Sequence, residues 1–380
     1  MPAFVRFLIA LLLLTTIQAA TAASTPVPPP PRLDARSWIL IDEQSGRVIT
    51  SHNADSRVEP ASLTKLMTAY AVFHALEDGK LRLDTEVPIS ERAWRMEGSR
   101  TFLQVGSRVP VEVLLQGMIV QSGNDASVAL AEAVAGSEDS FAALMNQYAA
   151  RLGMTNSHFD NAAGMPAADH LVTARDMSRL ARAIIDEFPD YYHWYSQREF
   201  TWNDITQANR NGLLGRDPSV DGMKTGHTEA AGYCLVSSAH RDGMRMIAVV
   251  MGTSGFKARE DASLALLNYG FSFFETKRVY PRGAELAKPR IFGAEDGEAA
   301  VGLRHEFYVT VPRGRGGEIQ LSVALSPGLK APLSATTPVG KLRAMLDGKL
   351  VAIEDLYPLA DVAEGGFFRR GWDSVMAWFD

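Results

Sequence analysis

Short apolar runs with the two-residue period of strands occur near both ends of the first 275 residues. Residues 38–41 and 48–51 flank the turn-rich segment 43–46, and this arrangement predicts a hairpin. Residues 233–239 and 244–251 predict a second hairpin, because an Asp-Gly pair between apolar runs favours a tight turn. The two hairpins together predict strands that pair in antiparallel fashion.

The chain between the hairpins carries apolar residues three and four positions apart, which is the spacing of helices. Helix starts are indicated by Pro110 in a first turn, by Asn124 or Asp125 as a cap, and by Ser140 as a cap. The predicted helices cover residues 63–77, 110–120, a segment from 125, 141–152 and 259–274. Helices placed between strands predict an α+β fold, in which an antiparallel sheet is covered by helices.

Two other segments differ from these helices in composition and in their pattern of apolar and polar residues. Residues 155–175 are polar and rich in Asn, Ala and Gly, so we expect one long loop, and loops of this length are usually functional. From residue 276 onward, segments such as 307–311 and 319–325 alternate between apolar and polar positions, with Pro and Gly between them. This pattern predicts a larger domain over residues 35–275, followed by a small all-β domain over residues 276–362.

The N-terminal end differs from both domains. Arg6 precedes an apolar run over residues 7–14, and Ala20 and Ala22 supply the small residues of a cleavage site. This order is typical of a secretory signal peptide, so we predict that residues 1–23 are removed on export. A stiff, Pro-rich linker over residues 24–34 would then lead into the first domain.

The C-terminal segment, residues 363–380, predicts an amphipathic helix that is too short to span a bilayer. Its aromatic side chains suit a membrane interface, so we expect it to attach the protein to the inner-membrane surface. A helix docked on the protein's own core is the alternative. The apolar face is formed by Phe368, Trp372, Val375, Met376 and Phe379.

Composition narrows the classes of function. A net charge of −6 gives no basic footprint, so we expect no nucleic-acid partner. Cys234 is the only cysteine and cannot form an intramolecular disulfide, and its apolar neighbours indicate a buried side chain rather than a catalytic thiol. The eight histidines show no H-x-x-x-H or H-E-x-x-H spacing, so we expect neither a metal nor a cofactor.

Ser-x-x-Lys, a pattern found in serine acyl-enzymes, occurs twice. Ser62 opens a predicted buried helix in which Lys65 lies on the same face, and the start of a helix favours developing negative charge. Ser254, the partner of Lys257 in the second copy, follows a strand in a Gly-rich turn. We therefore predict Ser62 as the nucleophile, with Lys65 beside it.

Two triplets follow in the chain. Ser122-Gly-Asn124 lies in a sharp turn between two predicted helices, so a hydroxyl and a carboxamide can point into one cleft. Lys224-Thr225-Gly226 comes immediately before the second hairpin, where a lysine and a hydroxyl suit a substrate carboxylate and Gly lets a substrate backbone approach. Three motifs in this order, each at the boundary of an element, predict a serine acyl-enzyme.

These motifs resemble those of the low-molecular-mass penicillin-binding proteins, specifically the D-alanyl-D-alanine carboxypeptidases. The resemblance covers most of residues 35–275 and includes the segments 209–214, 219–228 and 256–260. The small β-domain and the terminal helix are also similar to those of the membrane-associated members. Gly between Ser122 and Asn124 matches the carboxypeptidase subgroup.

The resemblance implies a β-lactamase/transpeptidase-like catalytic domain in the periplasm. It implies an enzyme that removes the terminal D-alanine from the pentapeptide stems of peptidoglycan and is acylated by β-lactams. It further implies Ser62 as nucleophile, Lys65 as base and Ser122 as proton relay. The remaining implied roles are orientation of Lys65 and the substrate amide by Asn124, an oxyanion hole of the Ser62 and His227 backbone amides, and binding of the terminal carboxylate by Thr225 and Arg259. Lys224 and Gly226 complete the substrate-binding set, and Lys224 is also the second cation that would lower the pKa of Lys65.

Three alternatives remain open at this stage. A β-lactamase of this type needs a Glu in the loop after the middle motif, whereas residues 154–175 contain only Asp160 and Asp169 as acids. A D,D-endopeptidase would use the same motifs. A non-catalytic wall-binding protein is disfavoured because every motif residue is present.

Overall fold

The computed structural model describes residues 26–365. The predicted signal peptide and the amphipathic helix over residues 366–380 lie outside the described residues. The part of the linker that is described lies against the protein, since Val27 and Leu33 pack on an apolar core and the Tyr269 hydroxyl donates to the Pro28 carbonyl at 2.9 Å.

Helices are concentrated in the first 275 residues. The α-helices of the described chain are α1 (Lys65–Glu77), α2 (Glu91–Trp94), α3 (Val111–Val120), α4 (Asn124–Ala135), α5 (Glu138–Arg151), α6 (Ala174–Glu187), α7 (Pro189–Tyr192), α8 (Leu213–Arg216) and α9 (Phe256–Phe273). Short 3₁₀ turns occupy Ala61–Thr64, His193–Ser196 and Gly316–Glu318. None of the helices within residues 26–365 combines the length and the apolar character needed to cross a membrane.

Strands occur in both halves of the chain. They are β1 (Ser37–Asp42), β2 (Val48–His52), β3 (Glu86–Pro88), β4 (Arg108–Pro110), β5 (Glu199–Trp202), β6 (Ile205–Ala208), β7 (Val220–Thr228), β8 (Gly232–Arg241), β9 (Met244–Thr253), β10 (Phe274–Tyr280), β11 (Glu285–Ala287), β12 (Val301–Gly302), β13 (Phe307–Pro312), β14 (Gln320–Leu325), β15 (Gly340–Leu346) and β16 (Lys349–Pro358).

The first 275 residues are built around one antiparallel sheet with the order β2-β1-β9-β8-β7. Both faces of this sheet are covered, because successive residues of a strand point to opposite sides. Ile39 joins an apolar core shared with α1 and α3, whereas Leu40 joins a second core shared with α9. The sheet is thus buried between layers of helices, and its two edge strands are β2, which is largely exposed, and β7, which is largely buried.

Both predicted hairpins are confirmed, as β1–β2 and β8–β9. Several predicted helix boundaries are wrong by a few residues. Gly123 rather than Asn124 occupies the cap of α4, and Ser137 rather than Ser140 caps α5, where its hydroxyl accepts from the Ser140 amide. Pro110 is the cap of α3, one position ahead of the first turn.

Helix α6 and strand β7 are absent from the sequence-based description. The α6 helix has a Thr173 cap and an apolar stripe that includes Met177, Leu180 and Ile184, with charged residues on the opposite face, so its helical spacing was present in the sequence and was overlooked. Strand β7 was missed because Lys224 and two glycines interrupt its apolar character. The long loop is confirmed, since residues 155–173 contain no helix and only one isolated bridge, between Val172 and Val58.

Residues beyond β10 form a β-sheet domain with its own apolar core. Its larger sheet has the order β11-β12-β16-β15-β14, and β10 pairs with β13. The β1–β2 turn contacts this domain directly: Thr276 donates to the buried Asp42 carboxylate at 2.7 Å, and the Ser45 and Thr310 hydroxyls lie 2.6 Å apart. The predicted mixed α/β architecture followed by an all-β domain is therefore observed.

Candidate active site

Ser62 lies in the 3₁₀ turn Ala61–Thr64, directly ahead of α1, and the helix that the sequence predicted from residue 63 begins two residues later, at Lys65. The turn is tighter than an α-helical turn because its hydrogen bonds join residues three apart, as the Leu63 amide donates to the Pro60 carbonyl at 3.1 Å. Ala61 within it has a left-handed backbone, with φ at 47°. Lys65 is the first residue of α1, and its Nζ donates to the Ser62 Oγ at 3.0 Å. The Ser-x-x-Lys spacing thus places the amine against the hydroxyl.

The Lys65 amine is buried and is surrounded by neutral acceptors. Besides Ser62 it donates to Asn124 Oδ1 at 2.7 Å and to the Ala163 carbonyl at 2.6 Å. Burial lowers the pKa of Lys65 to about 7, and the nearby Asp125 carboxylate opposes this shift. Near neutral pH a substantial fraction of the amine is therefore unprotonated and able to accept a proton.

Asn124 and Ser122 come from the junction of α3 and α4. Asn124 is the first residue of α4, and its side-chain nitrogen donates to the Glu97 carbonyl at 2.6 Å, which turns the amide oxygen toward Lys65. Ser122 has a left-handed backbone, with φ at 67°. Its Oγ is buried and has no hydrogen-bond partner within residues 26–365, so this hydroxyl is available to a bound molecule.

Asp125 is a site-supporting residue that sequence reasoning treated only as a possible helix cap. Its buried carboxylate accepts from the backbone amides of Thr101, at 2.8 Å, and Leu103, at 3.1 Å. These bonds fix the segment 97–103 against the start of α4. The same segment provides the Glu97 carbonyl that orients Asn124.

Lys224, Thr225 and Gly226 lie within β7, whereas the sequence placed them ahead of the strands. Lys224 is 2% exposed, and its Nζ donates to the Thr225 carbonyl at 3.1 Å. Burial lowers the pKa of Lys224 well below its usual value, and the positive charges of Lys65, Arg259 and Arg210 lower it further. Because the charge of Lys65 affects the pKa of Lys224, the first and third motifs belong to one site.

Gly226 lies where β7 passes closest to the 3₁₀ turn Ala61–Thr64, which we call the nucleophile turn because it contains the predicted nucleophile Ser62. A methyl group on its Cα would lie 2.9 Å from the Pro60 carbonyl oxygen and 3.2 Å from the Ser62 amide nitrogen. Only glycine allows this approach without displacing the backbone. The unpaired edge of β7 and the Ser62 amide thus lie side by side, and we call the space in front of them the groove.

His227 and Arg259 lie at the end of this groove. His227 is exposed and its ring stacks on Tyr233 at 4.0 Å between centroids. Arg259 is 3% exposed, and its guanidinium donates to the carbonyls of Gly226, at 3.3 Å, and Arg210, at 3.4 Å. Arg259 is thus a buried cation of the site rather than a solvated helix residue.

Two residues of the site could not be identified as site residues from the sequence motifs. Arg210 contributes positive charge near Lys224, although it was noticed only within a segment shared with the family. The Ala163 carbonyl, a main-chain group, has no sequence signature. The second Ser-x-x-Lys pair is not part of the site, because Ser254 and Lys257 are both exposed.

Comparison with known families gives two matches. A family model described as "D-alanyl-D-alanine carboxypeptidase", the peptidase S11 family, matches residues 20–255. A second model, described as "Penicillin-binding protein 5, C-terminal domain", matches residues 274–364. The two matches correspond to the helix-covered sheet and to the β-sheet domain.

Individual proteins are similar over nearly the whole chain. D-alanyl-D-alanine carboxypeptidase DacA of Escherichia coli strain K12 is 43% identical over 357 residues, which cover 92% of this chain and 89% of the relative. DacF of Bacillus subtilis strain 168 is 34% identical over 340 residues, with coverage of 88% and 87%. The structure of penicillin binding protein 5 from Haemophilus influenzae has a TM-score of 0.83 at 40% identity and covers 88% of this chain and 99% of that chain.

A neighbour with a bound antibiotic matches a smaller part of the chain. Penicillin-binding protein D2 from Listeria monocytogenes in the ampicillin-bound form has a TM-score of 0.60 at 28% identity. It covers 64% of this chain and 100% of that chain.

Gly226→Ala tests the close approach of β7 to the nucleophile turn. The added methyl group meets backbone atoms of Pro60 and Ser62, so we expect labelling of Ser62 by a fluorescent penicillin to slow by about 100-fold, because small misplacements of reacting groups are costly. The rate is measured by gel fluorescence. Gly215→Ala is the matched control, since nothing lies within 4 Å of the added methyl group. Equal labelling rates in the two variants would contradict the assignment.

Proposed function

This chain belongs to the D-alanyl-D-alanine carboxypeptidase family, and we propose that Ser62 and Lys65 are the centre of its reaction. The chain is accordingly a serine hydrolase that removes the terminal D-alanine from the pentapeptide stems of peptidoglycan, and it binds penicillins. The observation that carries the proposal is the 3.0 Å contact between the buried Lys65 amine and the Ser62 hydroxyl.

In the first half-reaction Ser62 Oγ attacks the carbonyl carbon of the penultimate D-alanine while neutral Lys65 takes the hydroxyl proton. The peptide C–N bond breaks, and the departing amine of D-alanine receives a proton through Ser122. The product is an ester between Ser62 and the shortened peptide. In the second half-reaction Lys65 takes a proton from a water molecule, and this water attacks the ester and frees Ser62.

Asn124 and the backbone amides would position the reacting groups. Asn124 orients Lys65 through its side-chain oxygen and would accept or donate to the substrate amide. The amides of Ser62 and His227 would bind the oxyanion, which is favoured because groups fixed in advance need no reorganisation during reaction. A methyl group on Gly226 would lie 3.2 Å from the Ser62 amide nitrogen, and this close approach of β7 to the Ser62 amide supports an oxyanion hole at this point.

The terminal carboxylate would bind at the cationic end of the groove. Arg259 and Arg210 provide positive charge there, Lys224 adds a buried amine, and Thr225 adds a hydroxyl on the edge strand β7. A peptide lying beside Gly226 would place its carboxylate near these groups. The requirement for a free carboxylate at this end fits an enzyme that trims chain termini.

A β-lactamase is disfavoured by the loop between α5 and α6. The acids of this loop are Asp160 and Asp169, and Asp160 lies 3.3 Å from His158. Glu138 lies beneath the loop, but its carboxylate is engaged by Arg92 and by the Ala162 amide. Asp169 is exposed and lines a surface pocket with Arg57 and His158. None of these three acids is a hydrogen-bond partner of Ser62 or Lys65 among the described contacts.

We also propose that the chain is exported and held at the inner membrane. The signal-peptide pattern of residues 1–23 supports export to the periplasm. The aromatic, amphipathic pattern of residues 366–380 supports attachment to the membrane surface. The proposed division is a catalytic domain over residues 35–275, a β-domain over residues 276–362, and the attachment segment from residue 363.

Ser62→Ala tests the assignment of the nucleophile. We expect the variant to release no D-alanine from a pentapeptide stem and to form no penicillin adduct by mass spectrometry, because the ester cannot form. Ser254→Ala, in the second Ser-x-x-Lys pair, serves as the matched control and should behave as wild type. Equal release by Ser62→Ala and wild type would overturn the mechanism, and sub-second turnover of the penicillin adduct on wild type would favour a β-lactamase.

The pH dependence tests Lys65 as the base. Since only the neutral amine accepts a proton, kcat/KM for D-alanine release should rise with pH and level off above the pKa of Lys65, about 7. The Asp125 carboxylate raises this pKa, so Asp125→Asn should shift the rising limb to lower pH. Rates are measured from about pH 5 to pH 9.

The control for this measurement is Asp139→Asn, which changes an exposed carboxylate on α5 and should leave the limb unchanged. If the rise of kcat/KM with pH stays in place or moves to higher pH in Asp125→Asn, the role of Lys65 is contradicted.

Vesicle binding tests the membrane segment. Replacing Trp372, Val375 and Phe379 by Ser removes the apolar face, so we expect cosedimentation with phosphatidylethanolamine–phosphatidylglycerol vesicles to be lost. Asp373→Asn, on the polar side, should retain binding. If the triple variant binds as strongly as wild type, the segment does not attach the protein to membranes.

A further inference from the structure

His170 is a buried histidine that the reaction described above does not use. It lies in the loop between α5 and α6 and is 1% exposed. Sequence reasoning gave it no role. Its two ring nitrogens nevertheless connect the loop to the nucleophile turn.

The hydrogen bonds of His170 fix the position of its proton. Nδ1 accepts from the backbone amide of Asp160 at 3.2 Å and lies 3.2 Å from the side-chain nitrogen of Asn161. Because a backbone amide can only donate, Nδ1 carries no proton and Nε2 carries it. Nε2 lies 2.8 Å from Thr64 Oγ1 and therefore donates to that hydroxyl. The pKa of His170 is lowered to about 4 by burial, so the ring is neutral at physiological pH.

Both ends of this bridge lead to Lys65. Thr64 directly precedes Lys65 and ends the 3₁₀ turn that holds Ser62. Asp160 begins the loop turn whose Ala163 carbonyl accepts from Lys65 at 2.6 Å. The neighbouring Ala162 carbonyl accepts from Thr68 on α1 at 2.7 Å, which sets the direction of this turn.

The loop turn and the nucleophile turn are in direct contact. Asn161 stabilises the loop turn by accepting from the amides of Gly164, at 2.8 Å, and Met165, at 2.9 Å. A methyl group on Gly164 would lie 1.9 Å from the Ala61 carbonyl oxygen. With so little space between the turns, a small shift of the loop changes the position of the Ala163 carbonyl relative to Lys65.

We propose that His170 is a positioning residue, which clamps the turn formed by residues 160–165 onto the nucleophile turn and so keeps the Ala163 carbonyl in place to orient the Lys65 amine toward Ser62. The proposal rests on the proposed function of Ser62 and Lys65. It assigns to His170 an effect on the chemical step and not on substrate binding, because the carboxylate-binding residues lie on β7 and α9, away from this loop.

The test is a double-mutant cycle between His170 and Thr64. His170→Asn keeps an acceptor near the Asp160 amide but cannot reach Thr64, and Thr64→Val removes the hydroxyl with little change of shape. We expect each single variant to lower kcat and the rate of penicillin acylation by about 10- to 100-fold with KM nearly unchanged. The double variant should be no slower than the slower single variant, within about threefold, because both changes break one bond.

His170→Gln provides the rescue, since its side-chain amide can place an N–H donor where Nε2 lies and should recover most of the lost rate. His240→Asn, which changes an exposed histidine of β8, is the control and should match wild type. Unfolding in urea is measured for every variant. A loss of stability with kcat unchanged, or single-variant effects that multiply in the double variant, would overturn the proposal.

The outcome is distinguishable from failure of the proposed function. If Ser62→Ala still releases D-alanine, the nucleophile assignment fails whatever the His170 variants do. If Ser62→Ala is inactive while the His170 and Thr64 variants keep wild-type kcat, the nucleophile assignment stands and the clamp is contradicted.

Discussion

The active site depends on burying a lysine amine that has no carboxylate among its hydrogen-bond partners. Lys65 is 1% exposed, and its contacts are a hydroxyl, a carboxamide oxygen and a main-chain carbonyl. A buried ammonium is costly, so the equilibrium moves toward the neutral amine. Asp125 lies close enough to moderate this shift, but its carboxylate is committed to the backbone of Thr101 and Leu103. The result is a base poised near neutral pH.

The surrounding elements are arranged by this constraint. Three neutral acceptors must converge on one nitrogen from different parts of the chain: the turn before α1, the start of α4, and the loop between α5 and α6. The buried sheet supplies the fourth side through β7, where Lys224 adds a second cation without an acidic hydrogen-bond partner of its own among the described contacts. Burial and the positive charge of Lys65 both lower the pKa of Lys224, and so favour its neutral form. A substrate carboxylate entering this site would be strongly attracted to whichever cation remains charged.

How much of this was visible in the sequence differs between side-chain and main-chain features. The order of Ser62, Ser122 and Lys224 predicted a common cleft because each motif carries reactive side chains near the boundary of an element. The mixed architecture and both β-hairpins followed from apolar periodicity. The 3₁₀ turn at Ser62 and the strand at Lys224 did not, since local pattern cannot show that a chain will tighten against β7 or form a sheet edge. The Ala163 carbonyl and the His170 bridge could not be predicted either, because both depend on a loop folding back over some 100 residues of chain.

Under the proposed mechanism, the same geometry predicts that a peptide ester and a β-lactam ester on Ser62 differ in lifetime. The loop over the site contributes a main-chain carbonyl, while Asp160 faces His158 and Glu138 is held by Arg92. Asp160 and Glu138 are thus each paired with another group, and the proposed mechanism uses Lys65 as the base in both half-reactions. After peptide cleavage D-alanine departs, and a water can enter the space that it leaves. A β-lactam ring opens without releasing a fragment, because its leaving nitrogen stays bonded to the acyl group. That nitrogen would then occupy the position of the water, so the proposed mechanism predicts that the β-lactam ester on Ser62 persists.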